Sequence, residues 1–404
     1  MSDLPGKGRD DLTLVIEGRE IVVNSAKFMR SMDTCADAFT AEIPWFPGKD
    51  PELDRITAPY SYSKCKIYIG GNLESEQILY NVKHKRDKSG TIKELEGFSK
   101  TADIIDSTVL PPYEASNISL TARCKQQCEP HGIQVVIGDG VNLLVPKTVS
   151  TGKWVPVVNQ MGIQTAMGFI KTMPLIDKPI ETGKTYKITG KKTTYEEMKF
   201  ARVSAEQTET IFEHLRKLAA QRGLLLSCTY DGNLLITRAN TDDKPVGTIE
   251  EGEPTAEGFN ADFDGRKRFH FYRAIASSSR KGKTAKTGIA TDDVLKNQRY
   301  LTFRSDDNIP GEALNAAEWR KNKSAADAMT IPFPVSTWYA PDDKLWRPNT
   351  KVSVKSQVIA SSGFTFLIAQ VEFSFAASGN SATLNLKPPS VYTTGKIEEP
   401  WLSE

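Results

Sequence analysis

The sequence of 404 residues predicts an α+β protein, mainly β, in which two small β-barrel domains are joined by a helix-hairpin α/β domain. Short runs of alternating apolar residues, separated by turn residues, occur from residue 11 to 98 and again from 352 to 386. Between these two β regions, one helical segment with strong periodicity is followed by a hairpin. The predicted domains are therefore residues 1–106, 107–240 and 241–404.

The first domain contains short strands at the spacing that is typical of a small barrel or sandwich. Two β-rich runs flank Glu17-Gly18-Arg19-Glu20, which is a hairpin signal. Further strands are predicted at Ala36–Trp45, Lys64–Ile69, Ile78–Lys83 and Thr91–Phe98.

The middle domain is defined by a capped helix and the hairpin that follows it. Ser204 and Gln207 form a capping box, and Gly223 is placed to end the helix. Asp231-Gly232 is a turn pair between two apolar strands. A shorter helix is predicted from Ile118 to Cys128. The apolar face of the long helix consists of Ile211, Phe212, Leu215, Leu218 and Ala219.

Two segments depart from this plan. Residues from about 139 to 203 are rich in glycine, lysine and threonine, and they are predicted to form an inserted β-rich or loop segment. Residues from about 311 to 330 are helical by composition and form a helical insertion in the second β domain. The alternating strands that follow them echo the pattern of residues 64–98, so a duplicated barrel is suggested.

The bulk composition indicates an ordinary globular protein. Hydrophobic residues make up 39%, charged residues 25%, and the net charge is +2, so there is no overall attraction toward nucleic acid or membrane. The N-terminus is polar, without signal-peptide features, and no apolar run approaches the roughly 20 residues of a membrane span. The five cysteines are an odd number, which favours reduced, structural thiols.

The sequence offers no catalytic, cofactor-binding or metal-binding pattern. Three Gly-Lys pairs resemble a phosphate loop, but the glycine required five residues before the second glycine is Lys178, Thr185 or Ser277. The four histidines have no serine or cysteine partner at a motif spacing. Cys124 and Cys128 would supply only two ligands of a zinc site. We therefore expect a protein that is not an enzyme and needs no cofactor.

A switch of charge follows residue 263. Residues 241–263 carry seven acids and one lysine, and residues 264–286 carry eight basic residues and one aspartate. Two interpretations are open, namely solvated loops and an electrostatic contact between subunits. Under the second interpretation, the contact residues are Arg266, Lys267 and Arg268.

Several segments together resemble the Mu-like contractile phage baseplate hub family. Residues 97–107 (GFSKTADIIDS) are similar to that family's GRSKTADLVD motif, with Phe98 in place of the usual arginine. The helix-hairpin segment and residues 338–349 (WYAPDDKLWRPN) match in order and spacing across about 300 residues. The structural motif residues are Gly97, Ser99, Lys100, Thr101, Asp103, Asp106, Gly223, Asp231, Gly232, Trp338, Pro341, Leu345, Trp346, Pro348 and Asn349.

The resemblance implies a homotrimer in which each chain carries two barrels similar to tail-tube subunits. Such a hub connects the tail tube to the central spike and adapts six-fold to three-fold symmetry. Its implied partners are tube or tube-initiator subunits, the spike protein and baseplate wedge proteins, with the tape-measure protein and DNA passing through the lumen. The implied location is the tail baseplate of the virion, assembled in the host bacterial cytoplasm.

Two alternatives remain open at this level. One is a tail-associated peptidoglycan hydrolase with an active site in the 139–203 insertion. The other is a hub domain of a related contractile injection system.

Overall fold

The computed structural model describes residues 8–86, 90–156, 185–253, 258, 260–276, 287–305, 312–377 and 379–402, with the backbone alone for 145–156 and 185–195. The chain divides into two compact units: residues 1–141 with 199–404, and residues 142–198. No helix of the described part is long and apolar enough to cross a membrane.

The strands of the N-terminal half are β1 (Leu12–Ile16), β2 (Arg19–Ile21), β3 (Ser25–Ser31), β4 (Ala38–Pro44), β5 (Lys64–Ile69), β6 (Asn72–Arg86), β7 (Thr91–Phe98), β8 (Glu114–Ser119), β9 (Val135–Ile137), β10 (Leu144–Pro156), β11 (Thr185–Glu197) and β12 (Lys199–Ser204). Those of the C-terminal half are β13 (Leu225–Cys228), β14 (Leu234–Thr237), β15 (Thr248–Glu250), β16 (Asp262–Phe263), β17 (Phe271–Ala276), β18 (Thr287–Thr291), β19 (Tyr300–Ser305), β20 (Met329–Thr330), β21 (Pro332–Val335), β22 (Lys351–Ser356), β23 (Ala360–Ala376) and β24 (Gly379–Lys387). The α-helices are α1 (Pro51–Ile56), α2 (Asp103–Asp106), α3 (Leu120–Cys128), α4 (Ile211–Ala220) and α5 (Glu312–Ala328).

The two β regions of the sequence form one large sheet. Its strand order is β15-β22-β23-β3-β4-β7-β6-β5-β1-β2, with β24 on β23 and β21 on β24. The junction is the antiparallel pairing of β3 with β23, in which Phe28 lies opposite Phe373 and the two rings stack at 6.1 Å. One hydrophobic core contains buried residues of both regions. The mainly β class is confirmed, and the described strands join the two regions in one sheet; the arrangement of two separate barrels stays a prediction.

The strand that makes this junction, β3, was absent from the sequence-based prediction. Ala26 and Phe28 alternate toward the core, but the flanking lysine, arginine and serines hide the pattern. β3 is covered on one edge by β4 and on the other by β23. A strand paired on both edges is stabilised by neighbours that are distant in sequence, which local propensity does not report.

The helix-hairpin unit has the predicted core face, but its helix begins later than expected. The backbone of Ser204 is paired with Glu114 in β12 and β8, so Ser204 cannot cap a helix. The cap of α4 is Thr210, whose side chain accepts a hydrogen bond from the Glu213 amide. The predicted apolar residues of α4 are all buried. The hairpin of β13 and β14 is confirmed, and β9 extends it in parallel.

The helix predicted in the second β region is present as α5. It packs on the three-stranded sheet β18-β17-β19. The approach is close at Gly288, because a Cβ atom there would lie 2.2 Å from the Ala313 carbonyl carbon. The small residues Ala313, Ala316 and Ala317 form the contacting side of the helix.

The predicted insertion overlaps the second compact unit, residues 142–198. That unit contains a long antiparallel hairpin, in which Leu144 pairs with Glu197 and Pro156 pairs with Thr185. Strand β12 lies in the first unit, where Phe200 and Val203 are completely buried. The second compact unit therefore ends before Lys199, whereas the predicted insertion extends to about residue 203.

Candidate functional site

The motif after the first β region starts at a position that only glycine can occupy. At Gly97 in β7, a Cβ atom would lie 2.2 Å from the ring of Phe39 and 2.8 Å from the Ile78 carbonyl oxygen. The bulge between β6 and β7 lies at the same level, after Leu79. Any larger residue would push β7 away from both neighbouring strands, so Gly97 fixes how closely these strands approach.

The next residues of the motif fold back into the core. Ser99 and Thr101 are completely buried, with 2.9 Å between their hydroxyl oxygens. The Ser99 hydroxyl accepts a hydrogen bond from the Asp37 amide at 3.0 Å, and the Cys35 thiol donates to the Thr101 carbonyl oxygen at 3.7 Å. These bonds satisfy buried polar groups, and they tie the motif to the loop between β3 and β4.

The same motif contacts the hairpin of the helix-hairpin unit. Gly232 has a φ of +74°, and a Cβ atom there would lie 3.2 Å from the Lys100 amide nitrogen. The Lys100 ammonium donates to the Gly132 carbonyl oxygen at 2.5 Å. Asp231 accepts a hydrogen bond from the Asn233 amide group at 2.8 Å, which shapes the turn. Two motifs that are distant in the sequence thus form one packed junction.

The acidic end of the motif faces outward. The Tyr80 hydroxyl donates to Asp103 at 2.5 Å, and burial together with this carboxylate raises the pKa of Tyr80. Asp106 is exposed at the end of α2. Phe98, which stands where the resembling family has arginine, lies edge-on to the Tyr80 ring at 6.1 Å.

An ionic junction, defined here as Arg30, Asp37, Glu74 and Arg347, lies beside these motifs, and all of its side chains except that of Arg347 are largely buried. Arg30 is 3.2 Å from Asp37 and 3.3 Å from Glu74. Arg347 reaches Glu74 from the C-terminal region at 3.0 Å. Burial raises the pKa of Asp37, although Arg30 opposes the rise. The ionic junction joins the first β region to the segment 338–349 at a defined geometry.

That segment, residues 338–349, forms a tight loop around two buried tryptophans. The Trp338 indole donates to the Ser381 carbonyl oxygen at 2.9 Å, and the Trp346 indole donates to the Thr337 carbonyl oxygen at 3.1 Å. The backbone amide of Trp346 donates to the Trp338 carbonyl oxygen. Both rings are nearly inaccessible and pack in the main core, so they define the C-terminal part of the sheet.

The other motif residues of this loop make its contacts with neighbouring segments. Pro341 lies against Gly247, where a Cβ atom would come within 2.4 Å of the proline ring. Leu345 is partly buried against the main core, and Pro348 precedes the turn at Asn349. Asn349 has a φ of +64°; its side chain accepts from the Asn240 amide at 2.8 Å and donates to the Arg238 carbonyl oxygen at 2.9 Å. It thereby fastens the chain leaving the hairpin to the sheet.

Gly223 closes α4. Its φ of +66° follows the last helical turn, and its amide donates to the Ala220 carbonyl oxygen at 3.0 Å. Glycine adopts this left-handed conformation with little steric cost, which explains why it ends the helix here.

The three residues of the basic run have different environments within the chain. The Arg268 side chain is only 9% exposed and pairs within the chain with Asp292 at 2.8 Å and Glu399 at 2.7 Å. Arg266 is 90% exposed and pairs with Asp264, and Lys267 is exposed. Of the three residues predicted to contact another subunit, Arg268 is therefore engaged inside its own chain. Its partners lie 24 and 131 residues away, so no local signal could reveal them.

The cysteines and acidic side chains show no metal centre in the described part of the chain. The five cysteines are free and buried. Burial raises the pKa of the Cys65 and Cys128 thiols to about 12, which keeps them protonated near neutral pH. Among the described residues, no group of three or more His, Cys, Asp or Glu side chains could hold a metal ion.

A second polar cluster, missed by sequence reasoning, joins α5 to the large sheet. Asp33 accepts hydrogen bonds from Lys323 at 2.7 Å, Lys387 at 3.2 Å and the Tyr392 hydroxyl at 2.7 Å. Burial acts to raise the pKa of Asp33, but the two lysines hold it below its ordinary value. The cluster is assembled from three distant segments, and none of them carries a recognisable motif.

Comparison with known proteins agrees with the motif pattern. A family model described as the fourth domain of the Mu phage baseplate assembly protein GpP matches residues 309–394. The baseplate hub protein gp44 of Escherichia phage Mu is 24% identical over 373 residues, covering 89% of this chain and 83% of gp44.

Two solved structures share the fold. The 43 kDa tail protein of prophage MuSo2 from Shewanella oneidensis superposes with a TM-score of 0.66 and 22% identity, covering 95% of this chain and 100% of that one. The tail protein from Neisseria meningitidis MC58 has a TM-score of 0.66 and 16% identity, with coverage of 94% and 97%. Together with the family match, these similarities confirm the resemblance to the Mu-like baseplate hub family.

Proposed function

We propose that this chain is a structural hub of a contractile phage tail baseplate, where it connects the tail tube to the central spike without catalysing a reaction. A structural role in the baseplate follows from the similarity to the Mu hub protein gp44. The observation that carries the finer proposal is the pairing of β3 with β23. It fuses two β regions that are distant in sequence into one sheet over one core.

This fused sheet supports a homotrimer that adapts six-fold to three-fold symmetry. The N-terminal half of the sheet comprises β1–β7, and the C-terminal half comprises β15 and β21–β24. If each half acts as a tube-like unit, three chains present six such units around one axis. A closed ring of this kind would also cover sheet edges that are exposed in a single chain.

The role implies a set of partners and a location. The six-unit face would bind tail tube or tube-initiator subunits, and the three-fold face would bind the central spike protein. Baseplate wedge proteins would surround the ring, and the tape-measure protein and DNA would pass through its lumen. The chain would assemble in the host bacterial cytoplasm and act in the tail baseplate of the virion.

The first experiment measures assembly. Light scattering after size-exclusion chromatography should give three times the 44.7 kDa mass of one chain. Class averages from electron microscopy should show a three-fold ring with six β lobes. A strictly monomeric protein would refute the trimer. A trimer without six comparable lobes would refute the symmetry-adapting role while leaving the baseplate assignment in place.

The second experiment tests the absence of catalysis, because a hydrolase site in the insertion is the competing hypothesis. Purified protein should leave a peptidoglycan suspension as turbid as the buffer control does, whereas lysozyme clears it. Clearing by the purified chain that is lost when residues 142–198 are replaced would make it a hydrolase.

A further inference from the structure

A polar groove opens on the outer face of the large sheet, between strands β15, β22 and β23 and the C-terminal tail, which is defined here as residues 388–402. Its volume is about 800 Å³. Alternation along β22 directs Val352 and Val354 into the core and places Lys351, Ser353 and Lys355 on the groove side. The tail supplies the opposite wall, which includes Lys396. The groove is thus built on a rigid sheet floor and not on a loop.

The floor of the groove carries a row of hydroxyl groups across three strands. Ser353 lies opposite Thr248 on one side and opposite Thr365 on the other. The Ser353 and Thr365 hydroxyl oxygens are 3.1 Å apart. Each hydroxyl group can both donate and accept a hydrogen bond, so the row can contact carboxylate oxygens or the backbone of a bound chain.

Positive charge stands on both sides of this row. The Lys351 ammonium donates to the Thr241 carbonyl oxygen at 2.9 Å, a neutral partner. Lys355 is 3.9 Å from Glu250, and both side chains are more than half exposed. Exposed ion pairs of this kind contribute little to stability, so either side chain can exchange its partner for another charged group. In the described part of the chain, no carboxylate lies within ion-pair distance of Lys396. The cations are therefore available to an incoming anion.

We propose that this groove binds an extended acidic peptide segment of a partner protein. Lys351 and Lys355 are four residues apart on one strand, which separates them by roughly 13 Å. A peptide in extended conformation that carries two carboxylates four residues apart presents its charges at the same spacing. The hydroxyl row lies between the two lysines, where it meets the intervening polar residues of the peptide.

The charges around the groove favour a peptide over nucleic acid. Each strand of duplex DNA carries one phosphate per about 3.4 Å of helix axis, so its charges are much denser than two lysines four residues apart on a strand. Glu398 lines the groove and Glu250 lies beside Lys355, and both would repel a continuous polyanion. A segment with only two carboxylates brings fewer negative charges close to these acids than a continuous polyanion does. The inference does not depend on the trimer or on the link between tube and spike.

The test uses the full chain and labelled peptides. The probe has two glutamates separated by three serine or threonine residues, and its controls have two adjacent glutamates or two glutamines. Fluorescence anisotropy should show saturable binding of the spaced peptide only. The Lys351→Gln/Lys355→Gln variant should lose at least about tenfold in affinity, since each lysine forms a charge-assisted hydrogen bond. The matched Lys64→Gln/Lys125→Gln variant, altered at exposed lysines elsewhere, should bind normally.

Further arms separate the competing ligands and guard against misfolding. Lys396→Glu should also weaken the spaced peptide, and circular dichroism should confirm that all variants remain folded. Tighter binding of a DNA duplex would replace the proposal by a nucleic-acid site. Displacement of the peptide by inorganic phosphate at the same concentration would reduce it to a simple anion site. Undetectable binding, or equal binding of the adjacent-glutamate peptide, would overturn it.

Discussion

Removing the Arg268 side chain should destabilise the region where the C-terminal tail is fastened. The guanidinium donates three hydrogen bonds to Asp292 at 2.8–3.0 Å and two to Glu399 at 2.7 and 3.2 Å. The side chains of both carboxylates are only 4% exposed. Arg268→Met would leave these two carboxylates buried without a cation. We expect a cost of about 3–5 kcal/mol, because breaking a buried ion pair strands the remaining charge.

The neighbouring Arg266 provides the matched control. It also pairs with an aspartate, but its side chain is 90% exposed. Arg266→Met should therefore leave the free energy of unfolding almost unchanged. Thermal unfolding of both variants measures the contrast. Equal melting temperatures would refute the argument that burial, and not the presence of an ion pair, decides the cost.

Two further measurements locate the effect. Glu399 precedes Trp401, whose ring lies 4.6 Å from that of Phe263. Amide hydrogen exchange in the tail should accelerate in Arg268→Met and stay normal in Arg266→Met, since the tail loses its anchor. Adding Asp292→Asn and Glu399→Gln to Arg268→Met should recover part of the loss, because no uncompensated charge remains. A triple variant that is less stable than Arg268→Met would contradict this explanation.

Four other predictions use thermal unfolding or solubility as their measurement. Leu215→Ala should cost roughly 2–5 kcal/mol because the side chain is completely buried, whereas exposed Arg216→Ala should change little; equal melting temperatures would mean that α4 is not packed as described. Thr210→Ala should cost about 1 kcal/mol through the lost cap, and an unchanged stability would count against Thr210 as the cap. Burial acts to raise the pKa of Glu209, but hydrogen bonds with His214 and Lys217 lower it to about 2 from 4.5. The ionised Glu209 side chain therefore stabilises the fold by about 1–3 kcal/mol above its ordinary pKa, and this stabilisation is lost as the pH falls from 4.5 toward 2. The difference in melting temperature between wild type and Glu209→Gln should disappear over the same pH range. A difference that does not depend on pH would exclude this pairing. Replacing residues 142–198 by a glycine-serine linker should leave a soluble, folded chain, since the first unit retains its own core, and an insoluble product would contradict this.

Local patterns predicted the elements whose causes are local. Strands Lys64–Ile69 and Thr91–Phe98 were predicted with their observed bounds, and the first of them begins with alternating polar and apolar residues and ends at Gly70-Gly71. The hairpin around Gly232 was predicted because its turn needs a residue with positive φ. The helix cap was placed wrongly, although Thr210 and Glu213 have the same capping spacing as Ser204 and Gln207. Only the sheet pairing of Ser204 decides between the two candidates.

Features formed by segments that are distant in the chain could not be predicted from local sequence patterns. The fusion of the two β regions depends on pairing β3 with a strand about 345 residues later, as the Lys27–Glu372 bridge shows. Arg268 was named with Arg266 and Lys267 as a candidate contact between subunits because its neighbours in sequence are basic. The two carboxylates that pair with it are Asp292, which directly follows β18, and Glu399, which lies in the C-terminal tail. The environment of such residues depends on partners that are close in space but distant in sequence, and composition and spacing do not identify these partners.

Three groups of charged residues in the first unit lie where distant parts of the chain meet, and this placement bears on the proposed role. The ionic junction around Glu74, the cluster around Asp33 and the pairs of Arg268 each join segments that are distant in the sequence. Buried ion pairs add less stability than apolar side chains of the same size would, but they require particular partners at particular distances. Placed at seams between elements, they fix how the C-terminal segments attach to the sheet. A subunit that must hold a tube and a spike in fixed register needs defined attachment more than additional stability. The hub proposal would therefore require charged pairs where these segments meet. Replacing all members of such a group by apolar residues should raise the melting temperature of the chain while impairing its assembly with other subunits.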